Sequence, residues 1–243
     1  MVIAVIGNGN VGGHLVKALE TTGHEVTSVN PRTLENFPDN PELCIISVSD
    51  NAIPAVADNL SVLCEKKGIN PVVAHTSGTT PIEVVGNRFR QAGVFYPLQT
   101  FSKNVTLHYG EIPFLIEGGN AEVEKMLVGL ASQISDRVET TDSEKRRAVH
   151  ISSVFACNFV NHLWSIADGL LEKNGIDFSL LLPLIGETFR KAQGHHPAAV
   201  QTGPAVRGDK STLLAHLKLL EGDERLSEIY KLLSNSINEL NKL

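Results

Sequence analysis

The sequence predicts an α/β chain: a doubly wound, mostly parallel sheet over residues 1–140, then an all-helical region over residues 141–243. Three observations carry that expectation. Short apolar runs alternate with helical patterns from Val2 to about Thr140, the alternation that builds parallel sheets with helices on both faces. After Thr140 no strand pattern follows, and long helical periodicities take over. The chain also opens on Val2 to Ile6, a β-branched apolar run suited to a strand buried on both faces, followed at once by Gly7-Asn8-Gly9-Asn10-Val11-Gly12.

That hexapeptide has Gly-x-Gly-x-x-Gly spacing and leads into a helix with Val11, Leu15, Ala18 and Leu19 on one side and Gly23 as its stop. Gly7 suits the tight turn, Gly9 lets backbone approach a pyrophosphate, and Gly12 lets helix and strand pack closely. The N–H groups and dipole at the helix start favour phosphate charge. Residues Gly7 to Gly12, with Asn8, Asn10 and Val11, are therefore expected to bind a dinucleotide in a Rossmann-type domain. The second strand, Glu25 to Val29, ends in Asn30-Pro31-Arg32-Thr33. An acid at this strand end would bond the 2′-hydroxyl of NAD. Here Arg32 lies twenty residues past Gly12, and Asn30, Arg32 and Thr33 suit a 2′-phosphate, so NADP(H) is the expected cofactor. An exposed loop arginine is the alternative.

The third strand, Leu43 to Val48, brings Val48 and Ser49 to the cofactor side, while Asp50 is expected to cap the helix carrying Ile53, Val56 and Leu60. The fourth, Pro71 to Ala74, leads to His75-Thr76-Ser77-Gly78-Thr79-Thr80-Pro81-Ile82-Glu83, where Thr80, Pro81 and Glu83 form a capping box. His75 and Ser77 stand where open α/β sheets place ligands: Ser77 is a candidate catalytic group or a turn former, His75 a candidate substrate ligand. The fifth strand, Val94 to Tyr96, delivers Gln99 to the same crevice as a substrate ligand. A sixth strand at Phe114 to Ile116, a helix at Glu122 to Gln133 and a strand near Val138 complete this half.

Thr141-Asp142-Ser143-Glu144 reads as a capping box opening one helix that runs to Lys173 and stops at Asn174-Gly175. Such a helix is about 45 Å long. Val149, Phe155, Phe159, Leu163, Leu170 and their neighbours cover most of its circumference, so it is expected to be buried. A narrow stripe carries His150, Ser153, Cys157, Asn161, Ser165 and Asp168, with Asn158 on its flank. Imidazole exchanges protons near neutral pH, which makes His150 the candidate acid or base; a buried histidine satisfied by a neighbour is the alternative. Asn158 as a further catalytic group and Ser153 as a substrate ligand could orient a carbonyl or the imidazole. Further helices are expected at Ser179 to Ala192, Asp209 to Leu220 and Glu224 to Leu240. In the loop before Asp209, Arg207 could clamp a substrate carboxylate or form a surface ion pair.

Composition narrows the partners. A net charge of −6 and a pI near 5.8 argue against nucleic acid or an anionic membrane. Cys44, Cys64 and Cys157 are scattered and read as reduced thiols of a cytoplasmic protein, and His195 and His196 have no metal-ligand spacing. A strand beginning at Val2 leaves no room for a signal peptide, and no apolar run approaches a membrane span.

The glycine turn, the Asn-x-Arg end of the second strand and one long helix opening a helical C-terminal domain resemble the NADP-dependent reductases with 6-phosphogluconate-dehydrogenase-like helical domains. Pyrroline-carboxylate reductase and ketopantoate reductase are among them. His75-Thr76-Ser77-Gly78-Thr79, Pro97-Leu98-Gln99-Thr100-Phe101, His150 with Asn158, and Gly203-Pro204-Ala205-Val206-Arg207-Gly208-Asp209 resemble more closely a bacterial family of NADP oxidoreductases. Its members join a Rossmann half to a C-terminal domain of unknown function. The resemblance implies hydride transfer between NADP(H) and a small carbonyl, imine or alcohol substrate, in a homodimer formed through the helical half. The catalytic lysine of several superfamily members does not carry over, because Val154 and Cys157 stand four residues before Asn158 and Asn161. A non-catalytic NADP(H) sensor or interaction protein is the alternative.

Overall fold

The computed structural model describes residues 1–103 and 105–240. Among these, one sheet contains β1 (Val2–Ile6), β2 (Glu25–Val29), β3 (Leu43–Ile46), β4 (Val72–His75), β5 (Ala92–Pro97), β6 (Phe114–Gly118) and β7 (Val138–Thr140). Their order is β2-β1-β3-β4-β5-β6-β7, parallel throughout except for the antiparallel pair β5 and β6. The chain leaves β1 toward β2 and returns to its other side at β3. That reversal opens a crevice at the carboxyl ends of β1 and β3, where such sheets bind ligands.

Helices α1 (Asn10–Glu20), α2 (Ile53–Lys67), α3 (Glu83–Gly86) and α4 (Ala121–Ala131) connect the strands. Both faces of the sheet are covered, which is why its central strands read as continuous apolar runs. Ile3 and Val5 point into a core with Leu15 and Leu19 of α1 and Leu127 and Leu130 of α4. Ala4 and Ile6 point the other way, against Ile53 and Leu60 of α2 and Val85 and Phe89. Each large side chain buried in these layers contributes about 1.5–3 kcal/mol.

The long helix is present but interrupted. It comprises α5 (Ser143–Ser153), a π-helical turn at Val154–Phe159, and α6 (Val160–Glu172). Its N-cap is Asp142, whose carboxylate accepts the Lys145 N–H at 2.7 Å, rather than Thr141. A π turn bonds i to i+5 and shifts the register of everything beyond it. The stripe from His150 to Asp168, drawn at constant α-helical pitch, is therefore not one face. The expectation of a buried helix also fails within a single chain: Ile151, Phe155, Phe159, Leu163 and Trp164 are exposed. The sheet offers α5 only the patch Val94, Tyr96 and Leu115, against which Val149 packs.

Two compact units divide the chain, Met1–His162 and Leu163 onward. The strands end at Thr140, while the first unit continues through the first half of the long helix. The second holds most of α6, α7 (Leu182–Gly194), α8 (Lys210–Leu219) and α9 (Glu224–Leu240). Asp209 and Asp223 cap α8 and α9, accepting the N–H groups of Thr212 at 3.1 Å and Leu226 at 3.0 Å. No helix among the described residues is long and apolar enough to cross a membrane, and no group of three or more potential metal ligands is gathered there.

Candidate functional site

Within the first unit, a cleft of about 490 Å3 opens at the carboxyl ends of β1, β3, β4 and β5. One end is built from backbone. Gly7 has φ +116°, and a Cβ there would strike the Ser47 carbonyl; a Cβ on Gly12 would strike the Gly7 carbonyl. At Gly9 nothing lies within 4 Å of where a Cβ would be, so the turn faces open space. No side chain caps α1 and no acid occupies its first turn, which leaves its N–H groups and positive dipole end to an anion. These features fit a dinucleotide pyrophosphate. Asn8, Val11, Val48 and Ser49 line the same cleft. Asn10 does so too, but its amide donates to the Phe101 carbonyl at 3.0 Å and braces the wall. His14 adds a second brace that sequence reasoning missed: its ring bonds the Tyr109 hydroxyl and the Ser102 carbonyl, each at 2.9 Å.

Beyond β2, the Asn30 carboxamide oxygen accepts the Arg32 N–H at 2.9 Å and the Asn30 carbonyl accepts the Leu34 N–H at 2.9 Å. Asn30 thus shapes the turn, Pro31 lines the cleft, and Arg32 and Thr33 are exposed at its rim. Among the described residues no carboxylate pairs with Arg32. Asp50 does not cap α2. It opens a 3-10 turn, Asp50–Ala52, and its carboxylate accepts the Thr79 hydroxyl at 2.5 Å, tying the loops after β3 and β4 together. The helical turn near Thr80 likewise starts late, at α3, because the Thr79 and Thr80 N–H groups donate to Ser77 Oγ at 3.1 and 2.9 Å.

At the other end of the cleft three elements converge. His150 on α5 and Tyr96 at the end of β5 both line it, with the phenol oxygen 3.0 Å from His150 Nδ1 and the rings 6.0 Å apart at 63°. Gly78 fits beneath them: a Cβ there would collide with the His150 ring and lie 2.9 Å from the Tyr96 ring. Burial pushes the Tyr96 phenol up from its ordinary value. Ser77 lines the cleft as the turn former just described. Gln99 lines it too, its carboxamide oxygen accepting the Thr100 N–H at 2.7 Å. Ser153 donates to the His150 carbonyl at 2.7 Å and faces the Tyr96 phenol.

Three candidates fall elsewhere. His75 is fully buried beneath the cleft, its Nδ1 accepting the Ser77 N–H at 3.1 Å; this corrects its reading as a substrate ligand. Burial, with the nearby Arg146 guanidinium, pushes its imidazole down to about 4, so it is neutral at physiological pH. Asn158 sits on the π-helical turn, exposed and away from the cleft lining. Arg207 belongs to the second unit, exposed two residues before Asp209.

Arg146, which stands between Lys145 and Arg147 in the sequence, is completely buried. Its guanidinium pairs with the Glu117 carboxylate and donates to the Thr80 carbonyl at 2.6 Å. Ser143 Oγ donates to the same carboxylate at 2.9 Å and accepts the Ile82 N–H at 3.1 Å. This network fastens α5 to the end of β6 and to the loop after β4, one helical turn before His150.

Fold and cleft together define a Rossmann-type dinucleotide-binding protein with a helical C-terminal unit. Residues 112–237 match the family described as Domain of unknown function (DUF2520), and the chain belongs to that family. The match begins at the edge of β6, so it includes the last two strands of the sheet as well as the helices. A candidate NADP oxidoreductase from Bacteroides fragilis is 36% identical over 98% of both chains, with a TM-score of 0.88. A protein from Thermotoga maritima is 19% identical over 99% of this chain and 98% of that one, with a TM-score of 0.72. A reductive aminase from Aspergillus terreus, solved with NADPH and ethyl-5-oxohexanoate, is 16% identical over 98% of this chain and 92% of its own, with a TM-score of 0.69. The last two share the fold. No curated protein matches the sequence.

Proposed function

We propose that this protein is an NADP-dependent oxidoreductase acting on a small carbonyl, imine or alcohol. One observation carries the reading: a phosphate-ready backbone turn and the His150–Tyr96 pair meet in a single cleft. NADP(H), when bound, supplies or takes the hydride. The chain does the rest. N–H groups of the Gly7–Gly12 turn hold the pyrophosphate, Arg32 and Thr33 hold the 2′-phosphate, and Val48 and Ser49 wall the bound dinucleotide. The His150–Tyr96 corner handles the proton, while Ser77, Gln99 and Ser153 orient substrate from the cleft wall. Residues 1–140 serve as the cofactor domain, and residues 141–243, with Arg207, as the substrate and dimerisation domain. Phe155 in the first unit and Leu184, Phe189 and Leu232 in the second are each exposed, which supports a homodimer through the helices, since large apolar side chains left in water are the ones interfaces cover. The scattered cysteines support a cytoplasmic site of action.

The test has two parts. In fluorescence titration, Arg32→Ala weakens NADPH by about 10- to 100-fold, the strength of a lost charged hydrogen bond, and leaves NADH unchanged. Equal losses for both cofactors sink the 2′-phosphate assignment. NADPH absorbance is then followed with panels of 2-keto acids, aldehydes and imines. Tight binding without turnover of any class favours a sensor, the reading that the absent superfamily lysine supports.

A further inference from the structure

We propose that Tyr96 is the group that exchanges a proton with the substrate, and that His150 acts behind it as the partner that recharges the phenol. This rests on the oxidoreductase reading and assigns the roles at its reacting corner. Tyr96 stands at the carboxyl end of a central strand, 9% exposed, and lines the cleft beside His150. A residue on a packed strand holds its reacting atom more steadily than one on a loop. His150 Nδ1 is committed to that hydroxyl at 3.0 Å, so the imidazole nitrogen facing the corner meets the phenol first. Gly78 supplies independent support: no side chain fits there without striking both rings, so the loop after β4 leaves their contact undisturbed. The buried Arg146–Glu117 pair, one turn before His150, fixes the helix that carries the imidazole.

In reduction, the substrate C=O or C=N carbon takes the hydride. The π pair becomes a new O–H or N–H bond with the Tyr96 proton as the phenol O–H bond breaks. The His150 imidazolium passes its Nδ1 proton to the phenolate oxygen, and the neutral imidazole left behind is reprotonated from solvent. One hydride and one proton are consumed for each substrate. The groups facing Tyr96 are His150 and Ser153 on α5, with Asp50 and Arg146 acting through charge. Burial raises the phenol, which keeps its proton in place throughout the neutral range.

The first measurement needs neither substrate nor cofactor. The His150 ring nitrogens are observed by NMR in the wild type and in Tyr96→Phe. Loss of the hydroxyl that meets Nδ1 shifts the Nδ1 resonance. An unmoved resonance overturns the dyad whatever the cofactor does. If Tyr96→Phe does not fold, the reciprocal observation replaces it: the Tyr96 ring carbon that bears the hydroxyl, followed in His150→Gln, shifts, and an unmoved signal overturns the dyad. With a turned-over substrate, Tyr96→Phe loses about 10²- to 10⁴-fold in kcat and keeps its NADPH affinity. His150→Gln loses less, and its reduction profile no longer falls as pH rises through the imidazole range. A loss in His150→Gln as deep as in Tyr96→Phe makes the imidazole the donor and overturns the assignment. Failure of the wild type to bind NADPH sinks the oxidoreductase reading instead.

Discussion

The two ends of the cleft are made in different ways. At the phosphate end, six consecutive residues present backbone, and their geometry follows from local constraints: a positive φ at Gly7 and close packing at Gly7 and Gly12. At the reacting corner, Tyr96, Gly78 and His150 come from β5, the loop after β4, and α5. Nothing local brings them together. Sheet register sets where Tyr96 ends, and the Arg146–Glu117–Ser143 network sets where α5 lands. A binding motif of backbone can therefore be placed by a short sequence, whereas a side-chain corner needs the whole unit. The contrast predicts that substitutions damaging the corner damage packing, while those damaging the turn damage affinity.

The largest expected effect is at Arg146. Arg146→Met leaves the Glu117 carboxylate, 13% exposed, without its cation, which costs about 3–5 kcal/mol. The double variant Arg146→Met/Glu117→Leu recovers much of that loss, because no buried charge is then left unpaired. Urea unfolding of the three proteins checks this. If the single variant is as stable as wild type, the network does not hold the corner, and the contrast between the two ends fails.

Next comes His75. Its folded-state value of about 4 lies below the ordinary 6.5, so between those pH values the unfolded chain binds a proton that the folded chain refuses. Stability from this group is intact above about pH 6.5 and is lost as pH falls toward 4, by about 3 kcal/mol for the 2.5-unit difference. Urea midpoints of wild type and His75→Gln, measured from pH 7.5 to 4, should diverge in slope, with the variant flatter. Parallel slopes would falsify a neutral buried imidazole.

How much was legible follows the same division. The glycine turn, the succession of strands and helices along the first half and the Asp209 and Asp223 caps could be read because each rests on near neighbours in sequence. His150 was legible as a candidate because imidazole exchanges protons near neutral pH and the residue falls on the polar stripe of the long helix. Tyr96 was not: as the last residue of an apolar strand it looked like core, and only the fold shows its hydroxyl meeting His150. Arg146 was hidden between two exposed cations, Lys145 and Arg147, and nothing in its neighbours announces a half-buried carboxylate 29 residues away. Asn158 was placed with His150 by constant helical pitch, which the π turn at Val154–Phe159 breaks.

The sharpest comparison uses two alanines, one at each end. At Gly9 a methyl group meets no atom within 4 Å, so Gly9→Ala folds as wild type does. The methyl nevertheless occupies the space where a pyrophosphate would approach the N–H groups, and NADPH affinity falls by about 10- to 100-fold, the worth of one or two charged hydrogen bonds. At Gly78 the methyl strikes the His150 ring and lies 2.9 Å from the packed Tyr96 ring, so both rings must shift and the Tyr96–His150 contact is lost. Gly78→Ala therefore keeps NADPH affinity and shows the same displaced His150 Nδ1 resonance as Tyr96→Phe. Calorimetry for binding and NMR for the imidazole, run on both variants, give a double dissociation if the ends are separate devices. If Gly78→Ala also loses NADPH, dinucleotide and corner share one set of contacts, and the phosphate turn does not act alone.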